Sequence, residues 1–166
     1  MKIFLKLTII FFIGLTSSCD DKSCDDVICG QNQFCKSGIC YCADGYEGTN
    51  CADFSAEKYL GNYNISVTCQ QGNNYGVSFG TIQADGYPVN ELLFFNFLGL
   101  GQTATAYIYT DPAGKGNYLR FPDQNLGGSQ IVGEGYYEDY NSYGRIRLEI
   151  QLTQNNQMSA CTYTYY

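Results

Sequence analysis

The sequence predicts a mainly β protein: a small disulfide-rich module followed by an antiparallel, eight-stranded β-barrel. Three observations lead there. Six cysteines crowd into residues 24–51. Beyond residue 55, apolar residues alternate with polar ones and show no helical period. Turn-forming Gly, Asn and Asp interrupt that stretch at short, even intervals.

Composition narrows the function classes. Among 166 residues there are 16 Tyr, 19 Gly and 9 Cys, but no His and no Trp. Without histidine, Ser-His-Asp and Cys-His catalysis and His-ligated zinc sites drop out. A net charge of −7 argues against a nucleic-acid partner, which needs a basic face. Aromatics at 16% against 15% charged residues place the chain outside the disordered class.

Residues 1–18 have the layout of a signal peptide: Lys2 and Lys6, an apolar run over 7–15, then Thr16, Ser17 and Ser18. As a helix that run rises only about 14 Å, half of a bilayer core of about 30 Å, which is too short for a permanent span. Eight of the nine cysteines can be paired by the arguments below, and Cys19 is left over. Leu15-Thr16-Ser17-Ser18-Cys19 resembles a bacterial lipobox, with its leucine four residues before the cysteine instead of three. The resemblance implies a lipidated Cys19 at the head of a tether over 19–23, with two or three acyl chains for firm membrane attachment. Ordinary cleavage after Ser18 is the alternative.

Asp20-Asp21-Lys22 and Asp25-Asp26 resemble the acidic tracts of Bacteroidetes-type exported lipoproteins, which implies the outer face of the outer membrane. A proteobacterial reading of the same aspartates gives inner-membrane retention, and a solvated spacer is the bland alternative. Loss of a leader containing Lys2 and Lys6 takes the formal charge from −7 to −9, which favours solubility at an anionic surface.

The cysteines at 24, 29, 35, 40, 42 and 51 are separated by four, five, four, one and eight residues. With Gly45, Tyr46 and Gly48 in the closing C-x-C-x-x-G-aromatic run, residues 24–51 resemble a compact, tenascin-type EGF-like domain. The resemblance implies the pairs Cys24–Cys35, Cys29–Cys40 and Cys42–Cys51. So short a segment cannot offset its chain entropy by burial alone, whereas closing loops of about ten residues contributes about 2–3 kcal/mol each. A zinc cluster is the alternative use of these cysteines, and an oxidising destination speaks against it. No calcium is expected: Asp20-Asp21-Lys22-Ser23 and Lys36-Ser37-Gly38-Ile39 lack the oxygen ligands of the calcium-binding kind.

Residues 55–166 read as the barrel domain. Tyr63, Ile65, Val67 and Cys69 share one face of a first strand; Ile146, Leu148, Ile150 and Leu152 alternate with Arg145, Arg147, Glu149 and Gln151 in a later one. Further strands are expected at 75–84, 89–98, 103–110, 116–122, 130–138 and 158–166. Turns are expected at Gln71-Gly72-Asn73-Asn74, Asp85-Gly86, Asp111-Pro112-Ala113-Gly114, Gly127-Gly128 and Asn155-Asn156. In a closed eight-stranded barrel the first and last strands are antiparallel neighbours, which brings Cys69 and Cys161 within bridging distance. A β-sandwich is the alternative, although the core Trp of immunoglobulin-like sandwiches is missing. Tyr59-Leu60-Gly61-Asn62-Tyr63 resembles the Gly-x-aromatic start of lipocalin-like (calycin) barrels.

Two stretches depart from simple alternation. Leu92-Leu93-Phe94-Phe95-Asn96-Phe97-Leu98 is apolar on both faces, which predicts cover by the EGF-like module or a loop, or else a partner-docking patch. The run from Gly135 to Gly144 holds Tyr136, Tyr137, Tyr140 and Tyr143 among Asn, Ser and carboxylates. That is the composition of adaptable recognition loops, so these four tyrosines are the candidate binding residues; an ordinary hairpin whose rings cover its own strands is the alternative. Glu138-Asp139 form an acid pair in a turn, where solvent keeps carboxylates ordinary. Catalytic residues, metal ligands and cofactors are therefore expected to be absent. The expected function is binding or adhesion at the cell surface, to a glycan or a protein, by a lipid-anchored outer-membrane protein. A lipocalin-like carrier of a small apolar ligand is the alternative.

Overall fold

In a computed structural model of the chain, residues 24–70, 78–84, 86, 88–110, 116–140 and 143–166 are described, apart from the side chains of Tyr140 and Tyr143. The leader over 1–18, Cys19 with its tether, and the turns expected at 71–74 and 111–114 lie outside the described residues.

The N-terminal part is a disulfide-rich region of four short strands: β1 (Gln33–Lys36), β2 (Ile39–Cys42), β3 (Tyr46–Glu47) and β4 (Asp53–Phe54). They form two separate two-stranded ladders, β1 with β2 and β3 with β4. Disulfides join Cys24 to Cys35, Cys29 to Cys40 and Cys42 to Cys51. A single 3-10 turn (Glu57–Tyr59) leads into the second part.

That part is a closed, eight-stranded antiparallel barrel: β5 (Gly61–Cys69), β6 (Ser78–Ala84), β7 (Glu91–Phe97), β8 (Gln102–Tyr109), β9 (Tyr118–Leu126), β10 (Ser129–Tyr140), β11 (Tyr143–Gln154) and β12 (Gln157–Tyr165). Each strand pairs with its sequence neighbours, and β12 returns to pair with β5, so no edge is left open. The closing ladder sets Cys161 directly opposite Cys69, and the two are bonded with Cα atoms 4.0 Å apart. The barrel, not a sandwich, follows from that closure.

The alternation is kept along most strands, and the inward residues fill the interior. Phe94 is central: it meets Phe121, Tyr165 and Phe97 edge-on at 5.0, 5.7 and 6.0 Å, while Phe97 stacks on Phe121 at 5.2 Å and on Tyr163 at 6.0 Å. Small residues elsewhere on the inner wall make room for these rings. Ala104 and Ala106 of β8 are fully buried. A Cβ on the inward Gly135 of β10 would meet the Arg147 carbonyl at 2.7 Å and run into Leu148. An eight-stranded barrel is about wide enough for side chains to fill, and here large rings sit beside small cross-strand partners, Phe94 beside Ala104 and Phe121 beside Gly133.

The both-sided apolar stretch has a local explanation. A register shift between Phe94 and Phe97 marks a bulge in β7, with Asn96 at φ 53°, so Phe94 and Phe97 both turn inward although three apart. Leu93 stays half-buried and Phe95 is 36% exposed. The disulfide-rich region sits elsewhere, at the barrel end formed by the β6–β7 and β8–β9 connections. There the Thr110 amide donates to Asp44 Oδ1 (2.9 Å) and the Gly116 amide to Glu47 Oε2 (3.2 Å). Gly45, at φ +90°, lies so close to the barrel that a Cβ would stand 2.9 Å from Val89 Cγ2.

Candidate functional site

Cross-strand register organises the outer face of the barrel into rows, because residues directly opposite on antiparallel strands point to the same side. One row runs Tyr109, Tyr118, Tyr136 and Arg147 across β8, β9, β10 and β11. The adjacent row runs Tyr107, Arg120, Glu134 and Glu149 across the same strands, then continues to Thr162 and Thr68 on β12 and β5. An open groove of about 820 Å³ lies over this face, lined among others by Tyr109, Tyr118, Arg120, Glu134, Glu149 and Gln151. Tyr118 is 52% exposed.

The electrostatics of the rows are mixed. Glu134 and Glu149 are direct cross-strand partners, a like-charge arrangement that costs local stability. Arg120 is the other partner of Glu134, and Arg147 reaches Glu149 Oε1 at 3.4 Å. The Nε of Arg147 is covered and has no hydrogen-bond partner. The Glu91 carboxylate, above all, raises the pKa of Tyr107 at the end of the second row, with burial adding to it.

The four sequence-predicted tyrosines divide among different environments. Tyr136 is on the outer face, between Tyr118 and Arg147. Tyr137, one residue on, turns to the other side and packs against the core at the barrel end. Its ring meets Tyr59 edge-on at 5.6 Å, and Lys58 Nζ stands 5.6 Å from both ring centroids. Burial, then the charges of Asp139 and Glu47, raises its phenol pKa. Tyr140 and Tyr143 face each other at the end of the β10–β11 ladder, their side chains lying outside the described residues. Glu138 of the acid pair accepts from Arg145 Nε at 2.7 Å.

Tyr109, Tyr118, Arg120 and Glu134 were not anticipated as site residues. Their signal was present as the polar half of each strand's alternation, but nothing local says which polar residues meet. Among the described residues, no group of three or more His, Cys, Asp or Glu side chains could hold a metal ion. No described helix is long and apolar enough to cross a membrane. A second, smaller cavity of about 90 Å³ opens at the barrel end away from the disulfide-rich region, between Val67, Leu98, Leu100 and Tyr163.

Comparison with known proteins finds no matching family model and no significantly similar curated protein.

Proposed function

We propose that this protein is an exported, lipid-anchored binding protein of the cell surface with no catalytic role. In this reading an EGF-like spacer carries a lipocalin-like barrel, and the groove on the outer face of that barrel takes a surface glycan. One observation carries it: the interior is filled with aromatic and aliphatic side chains, while an outer row of Tyr109, Tyr118 and the half-buried Tyr136 lies beside carboxylates, amides and hydroxyls. Tyr rings offer broad faces to the C–H side of a pyranose at little entropic cost. Glu134, Glu149, Gln151 and Thr162 supply partners for its hydroxyls, and the Arg120 guanidinium supplies donors. Strand spacing of about 5 Å sets the tyrosines roughly one sugar ring apart.

The carrier reading has less room. The 90 Å³ cavity is well short of the roughly 300 Å³ at which small-molecule sites begin. Screening the purified protein against bacterial and host polysaccharides tests the proposal. Tyr118→Ala and Glu149→Gln should each lower glycan affinity about tenfold or more, the size of one or two lost polar or stacking contacts, with an unchanged melting temperature. Binding that survives both substitutions would remove the groove from the proposal. A native mass exceeding the denatured mass would turn the reading to the carrier.

A further inference from the structure

One face of the β1–β2 hairpin is apolar and open. The register pairs Phe34 with Tyr41 and Lys36 with Ile39, so these four side chains project to one side while Gln33, Cys35, Cys40 and Cys42 project to the other. The Phe34 and Tyr41 rings lie 6.1 Å apart. Phe34 is 46% and Ile39 54% exposed with the barrel in place, so the barrel does not cover them. The barrel is held instead through Asp44, Gly45 and Glu47. Lys36, whose long stem can lie along apolar surface, is the one charged residue of the four.

The path of the chain limits how far this face can stand from the anchor. Cys24 is bonded to Cys35, Cα to Cα 5.9 Å, and Cys35 sits between Phe34 and Lys36 with its side chain on the opposite face, so the tether starts just behind the apolar one. Cys19 lies five residues before Cys24, and five residues span at most about 18 Å. An anchor at Cys19 therefore keeps the hairpin within about 24 Å of the lipid that holds it.

We infer that the Phe34–Ile39–Tyr41 face docks on the bilayer surface to which Cys19 is attached, its apolar side chains entering the interfacial layer. This rests on the lipoprotein reading. Phe and Ile gain by leaving water there, and Tyr and Lys suit the headgroup level, each with an apolar body and a polar tip. Asp25 and Asp26 beside Cys24 carry negative charge, so apolar burial and not attraction to anionic lipid drives the docking. With the hairpin seated on lipid and Asp44, Gly45 and Glu47 of the same region held to the barrel, the outer groove has a fixed bearing relative to the membrane.

The absence of tryptophan makes a clean test available. Phe34→Trp and, separately, Phe79→Trp on β6 each introduce the sole indole, and Phe79 is 72% exposed. Both proteins are placed in phosphatidylcholine vesicles with brominated acyl chains, once through their native anchor and once with the Cys19 thiol of the unlipidated protein coupled to a maleimide lipid. The Phe34→Trp indole should shift to the blue and lose half or more of its emission, and the Phe79→Trp indole should do neither. Equal quenching at the two positions, or none at Phe34→Trp, overturns the docking. Failure of the native sample to float with vesicles, with no acyl mass on Cys19, sinks the lipoprotein reading separately. The coupled sample still reports on the face in that case.

Discussion

Lys58 Nζ stands 2.5 Å from Glu47 Oε2, and this ion pair spans the junction between the disulfide-rich region and the barrel. The same nitrogen donates to Asn117 Oδ1 at 2.7 Å, and next to it the Tyr59 hydroxyl donates to the Gly116 carbonyl at 2.9 Å. Both charged side chains are mostly covered, so water does little to replace a missing partner.

Lys58→Met should therefore destabilise the protein by about 1–3 kcal/mol, the range for leaving a covered hydrogen-bonding group unmatched. Glu47→Gln should cost less, since an amide still accepts from the amine. A double-mutant cycle in urea should return a coupling energy between these positions, and purely additive effects would mean that the pair is not an energetic clip.

Gly135→Ala places a methyl group against the Arg147 carbonyl and Leu148. Because the strands are locked by hydrogen bonds on both sides, the clash cannot be relieved by a rotamer change. Overpacking of this kind costs about 1–3 kcal/mol. A urea midpoint equal to that of the parent protein would show that β10 shifts freely.

Replacing Cys69 and Cys161 together by Ala removes a link across a sequence separation of 92 residues. The chain-entropy account gives a loss of about 4–5 kcal/mol. The barrel's other ladders remain, so the variant should still fold but melt well below its parent in calorimetry without reductant. A melting point within a degree or two of the parent would contradict the entropic account.

Alkaline pH should unfold this protein by a specific route. Burial raises the phenol pKa of Tyr165, of Tyr63 with help from Tyr137, and of Tyr137 with help from Asp139 and Glu47. Each folded-state value lies above the unfolded one of about 10, so the unfolded chain releases protons first. Stability from these groups is intact below about pH 10 and declines as pH rises beyond it. Phenolate absorbance followed with circular dichroism should show these tyrosines ionising together with unfolding; ionisation in a still-folded protein would contradict their burial.

The strands were legible in the sequence because alternation is a local property of extended backbone. Ile146, Leu148, Ile150 and Leu152 point inward whatever their neighbours do, and in the structure they do so. Eight such stretches with short turns, two of them at Gly127-Gly128 and Asn155-Asn156, were enough to indicate a closed barrel. Strand lengths were less legible: β9 runs on past Pro122 to Leu126, since a register shift opposite, between Ile131 and Gly133, lets the ladder continue. The β7 bulge was likewise hidden, because Phe95-Asn96 reads as uninterrupted strand until Phe97 is seen facing the same core as Phe94.

The candidate site was legible only in part. Composition singled out the tyrosine-rich hairpin, but parity sends Tyr136 outward and Tyr137 to the barrel end, and these neighbours do different work. The sequence by itself determined the strand pattern, the cysteine-dense first segment and the absence of histidine chemistry, all of which depend on residue type and local spacing. Only the tertiary structure decided that Tyr109, Tyr118 and Tyr136 stand side by side with Glu134 and Glu149 in the next row. Those residues come from four consecutive strands, and which of them stand opposite one another depends on hydrogen-bond register, which a shift of one residue would reverse from outside to inside.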